Sequence, residues 1–388
     1  MTAGDYEVTE RFARFSQVDD VFSRSFWDDR IRTEQSDLFY ATYRRPLDKW
    51  RTANGFTQRD YAVRNAAWHV TDVFAELREH DDRRDGFLSS LSMLRDGPAE
   101  KAPLGSVEEC TAELKAVART FGADLVGVTA ADERWHYTER FSAQVGGGVE
   151  NDDLSGLESV IVIGQAMDHD LTKTAPSALA GAATGLGYSH DALVLLATAQ
   201  YIINLGYRAV PSMNDTALAI PYALEAGLGE YGRHGMLISP ELGPRLRLGK
   251  IFTDLPLAHD GPKPFGVTEF CRVCDRCADA CPASAIPTGA PTEVKLNEST
   301  IAGVRKWSVD GEACFGYWAK INSDCAVCVR VCPFNRDYST RRHRWWARLA
   351  TSRLRRFALW LHDRADAGAR LKPVAWWQAR GGAGRVRA

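Results

Sequence analysis

Between residues 61 and 77, Tyr61, Ala62, Asn65, Ala66, Val70, Val73, Phe74 and Leu77 recur at three- and four-residue steps. That spacing predicts a helix with one buried stripe inside a polar, mostly helical stretch of about the first 100 residues. Asp96-Gly97-Pro98 and Pro103-Leu104-Gly105 punctuate its end. Ser106 followed by Glu109 is a capping box, so a helix opens there. Cys110, Leu114, Val117, Ala118 and Phe121 make its apolar face, and Gly122 stops it. Ala123–Val128 and Ser159–Gly164 read as strands, the second of them buried. His190–Leu205 reads as a long apolar helix ended by Gly206, Tyr207–Ser212 as a strand and Ala217–Ala226 as a helix. Strands alternating with helices indicate an α/β layer, although the sheet order is not legible.

Periodicity then gives way to a stretch of 46 residues, Pro211–Pro256, rich in glycine with polar and basic residues interleaved. Glycine lets backbone approach a ligand closely, which suits a large planar cofactor and equally suits a set of tight turns. No G-x-G-x-x-G run follows a predicted strand and no G-x4-G-K-[ST] loop occurs, so no dinucleotide or nucleoside-triphosphate fingerprint is present.

The chemistry is concentrated in two cysteine runs. The first is Cys271-x2-Cys274-x2-Cys277-x3-Cys281-Pro282, and the second is Cys314-x10-Cys325-x2-Cys328-x3-Cys332-Pro333. This is the ligand spacing of two four-iron clusters in a bacterial-ferredoxin-like fold. Three closely spaced thiolates reach three irons of one cube, and the fourth, before proline, reaches the other. The expected sets are Cys271, Cys274, Cys277 and Cys332 for one cluster, and Cys281, Cys314, Cys325 and Cys328 for the other. Structural zinc usually shows paired C-x2-C ligands, which fits the spacing less well. Cys110 is left over and reads as a small buried apolar residue.

Composition adds limits. The 388 residues, 45% hydrophobic and 25% charged, allow two or three ordinary globular domains. No apolar run has the length of a membrane span, and the start, MTAGDYEVTERFARF, has neither a basic region followed by an apolar one nor a twin-arginine pair. With its thiols taken up by clusters, the chain is expected in a reducing cytoplasm, with peripheral contact on the inner membrane face as an alternative. The net charge of −2 is uneven: from Arg336 onward there are 14 Lys+Arg against 3 Asp+Glu. A basic tail on an acidic body implies a partner or self-docking.

Longer motifs carry a family resemblance. Asn214-Asp215-Thr216, Glu225 through Arg233, Gly243-Pro244-Arg245-Leu246-Arg247-Leu248-Gly249-Lys250 and Phe252 through Pro256 resemble the reductive dehalogenases, as does Phe270-Cys271 leading into the cluster runs. Arg11-Phe12, Val21 through Arg24 and Arg59-Asp60-Tyr61-Ala62 are similar to the same family, so the resemblance spans roughly residues 10–340. It implies an α+β or α/β fold with a nitroreductase-like corrinoid-binding core and a C-terminal bacterial-ferredoxin-like region holding two [4Fe-4S] clusters. It also implies a cobalamin-type corrinoid with no protein ligand to cobalt. The chain has no Asp-x-His-x-x-Gly run of the kind that supplies a cobalt-binding histidine; Asp168-His169-Asp170 does not match it. The domain expectation is a helical region over 1–104, a corrinoid-binding core over 105–262, the two-cluster region over 263–340 and a basic, Trp-rich tail over 341–388.

Carried over by position, the resemblance gives Tyr188 as the catalytic acid, with Asn214 and Arg247 as its partners and Lys250 as a further catalytic candidate. A phenol has an ordinary pKa of about 10 and donates at neutral pH. A neighbouring cation stabilises the phenolate left behind. Arg247 bridging Glu241 or Asp254 is the alternative. Arg233 and Arg245, with Leu237, Leu248 and Gly249, are the expected cofactor-binding residues. The reaction implied is replacement of halogen by hydrogen on an organohalide, with electrons passing from an external donor through the clusters to cobalt. Some members carry a fused reductase; only 55 residues follow Pro333, so a separate ferredoxin, flavodoxin or reductase is expected. A related corrinoid reductase acting on a non-halogenated substrate, such as an alkene or epoxyqueuosine in tRNA, and a plain electron carrier are the competing readings. In the tail, Trp345, Ala350, Leu354, Phe357 and Leu361 keep roughly helical spacing among arginines. Such a helix folds back on the acidic body, lies on an anionic membrane, docks a partner or, least in keeping with the pattern, binds RNA.

Overall fold

The computed structural model describes residues 2–3, 6–44, 51–74, 91, 93–143, 145–365 and 368–381, the side chains of 2, 3, 44 and 74 excepted. Leu77 of the apolar stripe lies outside the described residues, as does the side chain of Phe74. The elements that position the site are, in chain order, α1 (Val21–Trp27), α2 (Glu34–Arg44), α3 (Gln58–Phe74), α4 (Val107–Thr120), β1 (Leu125–Ala130), β2 (Ser159–Ala166), α5 (Ala178–Asn204), β3 (Ala209–Ser212), α6 (Ala219–Glu225), β4 (Leu246–Thr253), α7 (Gly311–Ile321), α8 (Arg341–Ala350), α9 (Arg355–Arg364) and α10 (Pro373–Ala379).

The four strands form one sheet in the order β1-β2-β4-β3. Every neighbouring pair is antiparallel, which supplies the sheet topology that the alternation of strands and helices left open. The α+β description is the one that fits. The longest pairing joins β2 to β4 over eight residues, from Leu246↔Ala166 to Thr253↔Ser159. β4 is hidden in the sequence because its arginine, glycine and lysine mask the alternation that marks a strand.

Both faces of the sheet are covered. Val126, Val128, Ile161, Ile163 and Ile251 face α4 and α5, meeting Leu114, Ala118, Ala192 and Leu195. Val160, Val162, Leu246 and Phe252 face the other way, into a second core with α6 and the cysteine-bearing segments, including Phe270 and Phe334. A strand buried on both sides reads as an unbroken apolar run, which is why Val160–Ile163 was legible.

The capping box forms as expected: Ser106 accepts from Glu109 N and Glu109 accepts from Ser106 N. Cys110, Leu114 and Ala118 are buried, but Phe121 is exposed. The helix ends at Thr120, so the Phe121 side chain leaves the face it would have continued. Gly122 takes φ +112°, the left-handed conformation that stops the helix.

The N-terminal residues are woven into the rest. Tyr6–Val8 pairs with Val304–Arg305 between the two cysteine runs. Arg24, almost fully buried, pairs with Asp28 at 2.8 Å and with Glu312 on α7. The basic tail folds back: α10 sets Trp377 against α3, where its Nε1 donates to Asp60 at 2.8 Å and Arg59 stacks over its ring.

Candidate active site and cluster-binding region

Tyr188 lies inside α5, not before it. The helix begins at Ala178, capped by Ser177, well upstream of His190. Gly181, Gly185 and Gly187 look like breakers but serve close packing. A Cβ at Gly185 would sit 2.5 Å from Trp68 Cδ1, and one at Gly187 would sit 2.7 Å from Arg247 Cγ. Bare backbone thus lets α3 and β4 close on the helix around Tyr188. The Trp68 ring lies 5.0 Å from the Tyr188 ring and shields it from solvent.

Three of the four expected catalytic residues meet. Asn214 Nδ2 donates to the Tyr188 hydroxyl at 2.7 Å. Arg247 Nη1 approaches the same oxygen at 3.4 Å, with its guanidinium 5.3 Å from the ring centre. Arg247 Nε is anchored on the Leu246 carbonyl at 2.9 Å. Asp254, the alternative partner for Arg247, pairs with Lys101 at 2.8 Å.

Lys250 acts one step away. It is fully buried, and its Nζ donates to the Met213 carbonyl at 2.5 Å. It therefore fastens the turn that presents Asn214. The same turn is tied by Asp215, which accepts from Met213 N at 2.9 Å and Thr216 Oγ1 at 2.7 Å. Thr216 adopts φ +67°, a strained conformation for a β-branched residue, held by these bonds and by a further one to Asp152 at 2.8 Å. Gln17 Nε2 reaches Asn214 O at 3.4 Å from the far end of the chain.

Asp191, one helical turn past Tyr188, was not singled out in the sequence. It is fully buried and neither carboxylate oxygen has a hydrogen-bond partner. Burial pushes it up to about 8, against the pull of Lys250 and Arg247. Burial pushes Lys250 down to about 8, opposed by Asp215 and Asp191. Gly249 makes room for Asp191: a Cβ there would lie 2.7 Å from both carboxylate oxygens.

The expected cofactor contacts are distributed differently. The buried Arg233 guanidinium clamps the first cysteine loop. It donates to the carbonyls of Cys271 (2.8 Å), Cys274 (3.0 Å), Pro287 and Gly289 (both 2.9 Å) and pairs with Asp275 at 3.1 Å. Backbone carbonyls take the place of the corrinoid periphery expected for it. Arg245 joins Met167 O at 2.9 Å to Arg336 O at 3.0 Å, bracing the end of β2 against the exit of the second cysteine run. Leu237 is buried in a two-stranded ribbon with Tyr231, and Leu248 packs on the second core. Gly249 backs onto Asp191.

The cysteines of the two runs lie close enough to act on one another electrostatically. Burial and the facing thiols Cys271, Cys277 and Cys274 push Cys332 well up. Burial, then Cys325 and Cys281, push Cys314 up to about 12. Cys328 is pushed up by burial and then chiefly by Cys314 and Cys325. Left without metal these groups are neutral thiols, and ligation to iron supplies the charge that burial opposes. Among the described residues no three His, Cys, Asp or Glu side chains are arranged to hold a single metal ion. The spaced thiol tetrads fit four-iron cubes. Glu230, buried, caps the first loop by accepting from the amides of Phe265, Gly266 and Val267 at 2.7, 2.6 and 3.0 Å.

Buried polar atoms without partners test the fit of a corrinoid. Gln165, opposite Arg247 in the β2–β4 register, has an unpaired Nε2, and Arg245 has an unpaired Nε. Donors of this kind suit the amide-fringed edge of a corrin ring, so the residues fit the group.

Residues 156–257 match the family model described as reductive dehalogenase subunit, and residues 270–335 match the 4Fe-4S double cluster binding domain. A tetrachloroethene reductive dehalogenase of Desulfitobacterium hafniense is 39% identical over 269 residues, covering 60% of this chain and 49% of that protein. A solved catabolic reductive dehalogenase, a K488Q variant, superimposes with a TM-score of 0.71 at 22% identity, covering 95% of this chain and 48% of that one. Another, from a structure described as suggesting a mechanism for B12-dependent dehalogenation, gives 0.68 at 21% identity, covering 94% and 48%. Over these segments the chain is similar to reductive dehalogenases and to double-cluster iron–sulfur domains. It spans about half the length of the curated relatives it matches.

Proposed function

We propose that this chain is a corrinoid-dependent reductive dehalogenase that replaces halogen with hydrogen on a small organohalide. The observation that carries the reading is the Tyr188 hydroxyl, held by Asn214 at 2.7 Å and approached by Arg247 at 3.4 Å, in a chain whose residues 270–335 match a 4Fe-4S double cluster binding domain. Net, an organohalide, two electrons and one proton give the hydrogenated product and a halide ion. A bound corrinoid supplies the cobalt chemistry that breaks the carbon–halogen bond, and the clusters supply electrons.

The protein's own residues manage the proton. Tyr188 donates it from its hydroxyl to carbon as halide departs. Asn214 orients the phenol, and the Arg247 guanidinium stabilises the phenolate. Trp68 keeps water from competing for that proton. Lys250 holds the Met213–Thr216 turn so that Asn214 stays in reach. No described helix is long and apolar enough to cross a membrane.

The test is anaerobic. Holoprotein reduced chemically and offered a panel of aryl and alkyl halides is expected to release halide. Tyr188→Phe should keep its cobalt and iron but lose about 10²–10⁴ in turnover. Iron without cobalt leaves an electron carrier, and silence across the halides with cobalt bound points to a non-halogenated substrate.

A further inference from the structure

The outward faces of α8 and α9 carry a pattern that neither folding nor the proposed chemistry uses. Between residues 341 and 364 stand eight arginines and one acidic residue, Asp363. The inward faces are well anchored. Trp346, Ala350, Ala358 and His362 are buried, and Trp346 Nε1 donates to Ala358 O at 3.0 Å, tying one helix to the other. Trp346 also packs against Phe270 and Phe334 beside the first cluster loop.

What stays outside is mixed in character. Trp345 and Leu354 are each 57% exposed, Phe357 49% and Trp360 47%. The Phe357 and Trp360 rings stack 5.5 Å apart. Exposed arginines stand among them, and Asp363 is already paired with Arg276 at 2.7 Å, as Arg355 is with Glu269 at 3.1 Å. Arg341, Arg342, Arg348, Arg353 and Arg356 make no ion pair among the described residues.

A solvated charged face accounts for the arginines but not for four large apolar side chains held open between them. An acidic protein would satisfy the guanidinium groups and leave the indoles without an apolar partner. An anionic lipid surface satisfies both. Phosphates accept from guanidinium forks, and indole and phenyl rings sit at the boundary between headgroup and acyl chain.

We propose that α8 and α9 form a peripheral docking surface for anionic phospholipid, entered by Trp345, Leu354, Phe357 and Trp360 and steered by the surrounding arginines. Docking sets the side of the molecule that carries Cys271–Cys277 close to the lipid. This inference is independent of the proposed dehalogenation.

The test uses full-length holoprotein sedimented with vesicles of phosphatidylcholine, alone or mixed with phosphatidylglycerol. Binding is expected to the mixed vesicles only, and to weaken as salt is raised. Each of Arg348→Ala and Arg356→Ala should lower partition about fivefold. A Trp345→Ser/Trp360→Ser variant should fall to background while keeping its cluster absorbance and thermal midpoint. The proposal is overturned by no binding at low salt, by equal binding to neutral vesicles, or by variants that bind like the parent. It is equally overturned if these variants lose self-association or capture by an acidic ferredoxin while their vesicle binding is unchanged.

Discussion

The cluster-binding region and the Tyr188 site hold their chemistry in opposite ways. Around Tyr188 the functional atoms sit on a long helix, a central strand and a turn locked by side-chain hydrogen bonds. Those hydrogen bonds run between protein groups. Apart from Cys314 in α7, the cluster-run cysteines instead sit on loops and single helical turns, such as Val267–Cys271, Arg276–Asp279 and Val327–Val331. These are shaped by clamps on backbone, Arg233 and Glu230 above all. The first site is preorganised by protein, and the second depends on the metal it will hold.

The largest break in this contrast comes from removing a ligand. Cys277→Ser should drop iron from about eight to about four atoms per chain. Limited proteolysis should then cut within residues 267–335 and spare α5 and the sheet. Cutting throughout the chain would show that the two regions are not separable.

Next is the clamp. Arg233→Met leaves two buried and two partly buried carbonyls without their donor and should cost about 3–5 kcal/mol, read as a lowered denaturant midpoint with faster iron loss. An unchanged midpoint would mean that the cubes alone hold the loop.

Gly249→Ala probes the preorganised side. Its Cβ would meet Leu195 at 2.6 Å and Asp191 at 2.7 Å, and the overpacking should cost about 1–3 kcal/mol with full iron retained. Iron loss on this substitution would tie the two regions together.

The smallest effect is a slope. Because burial raises Asp191 to about 8, the native chain keeps a proton that the unfolded chain releases above about 4. Stability therefore falls as pH climbs from about 4 towards 8. Asp191→Asn should flatten this fall, gaining on the parent by about 1–3 kcal/mol at the upper end in paired denaturation curves. Lys250, depressed to about 8, acts in a different window. There the native chain loses a proton that an unfolded lysine keeps until about 10.4, so stability rises over that interval. Parallel curves for Asp191→Asn and parent would remove Asp191 from the charge balance.

The same contrast explains what the sequence revealed. Cluster ligands are close along the chain, so their spacing is written locally, and both tetrads emerged from it. The Tyr188 site joins residues 17, 68, 188, 214 and 247, and no local period links them. Tyr188, Asn214 and Arg247 were reached only through resemblance; Trp68, Gln17 and Asp191 were not reached at all. Trp68 lies among the helical repeats of α3 and looks like any core aromatic. The glycines of α5 hid the first part of that helix because breaking and close packing ask for the same residue. β4 was lost for a related reason: a functional strand carries charges that a structural one would not. Arg233 misled because a guanidinium fork serves carbonyls as well as it serves a cofactor's edge.

Arg245 and Gly243 stand where the leading end of β4 meets the segment that follows Cys332. Arg245 reaches the Arg336 carbonyl, and a side chain at Gly243 would strike Phe334 O at 2.1 Å. Both contacts fasten the leading end of β4, already paired along its length with β2 and β3, to the chain leaving the second cysteine run, so one short seam joins the strand bearing Arg247 to the cysteines.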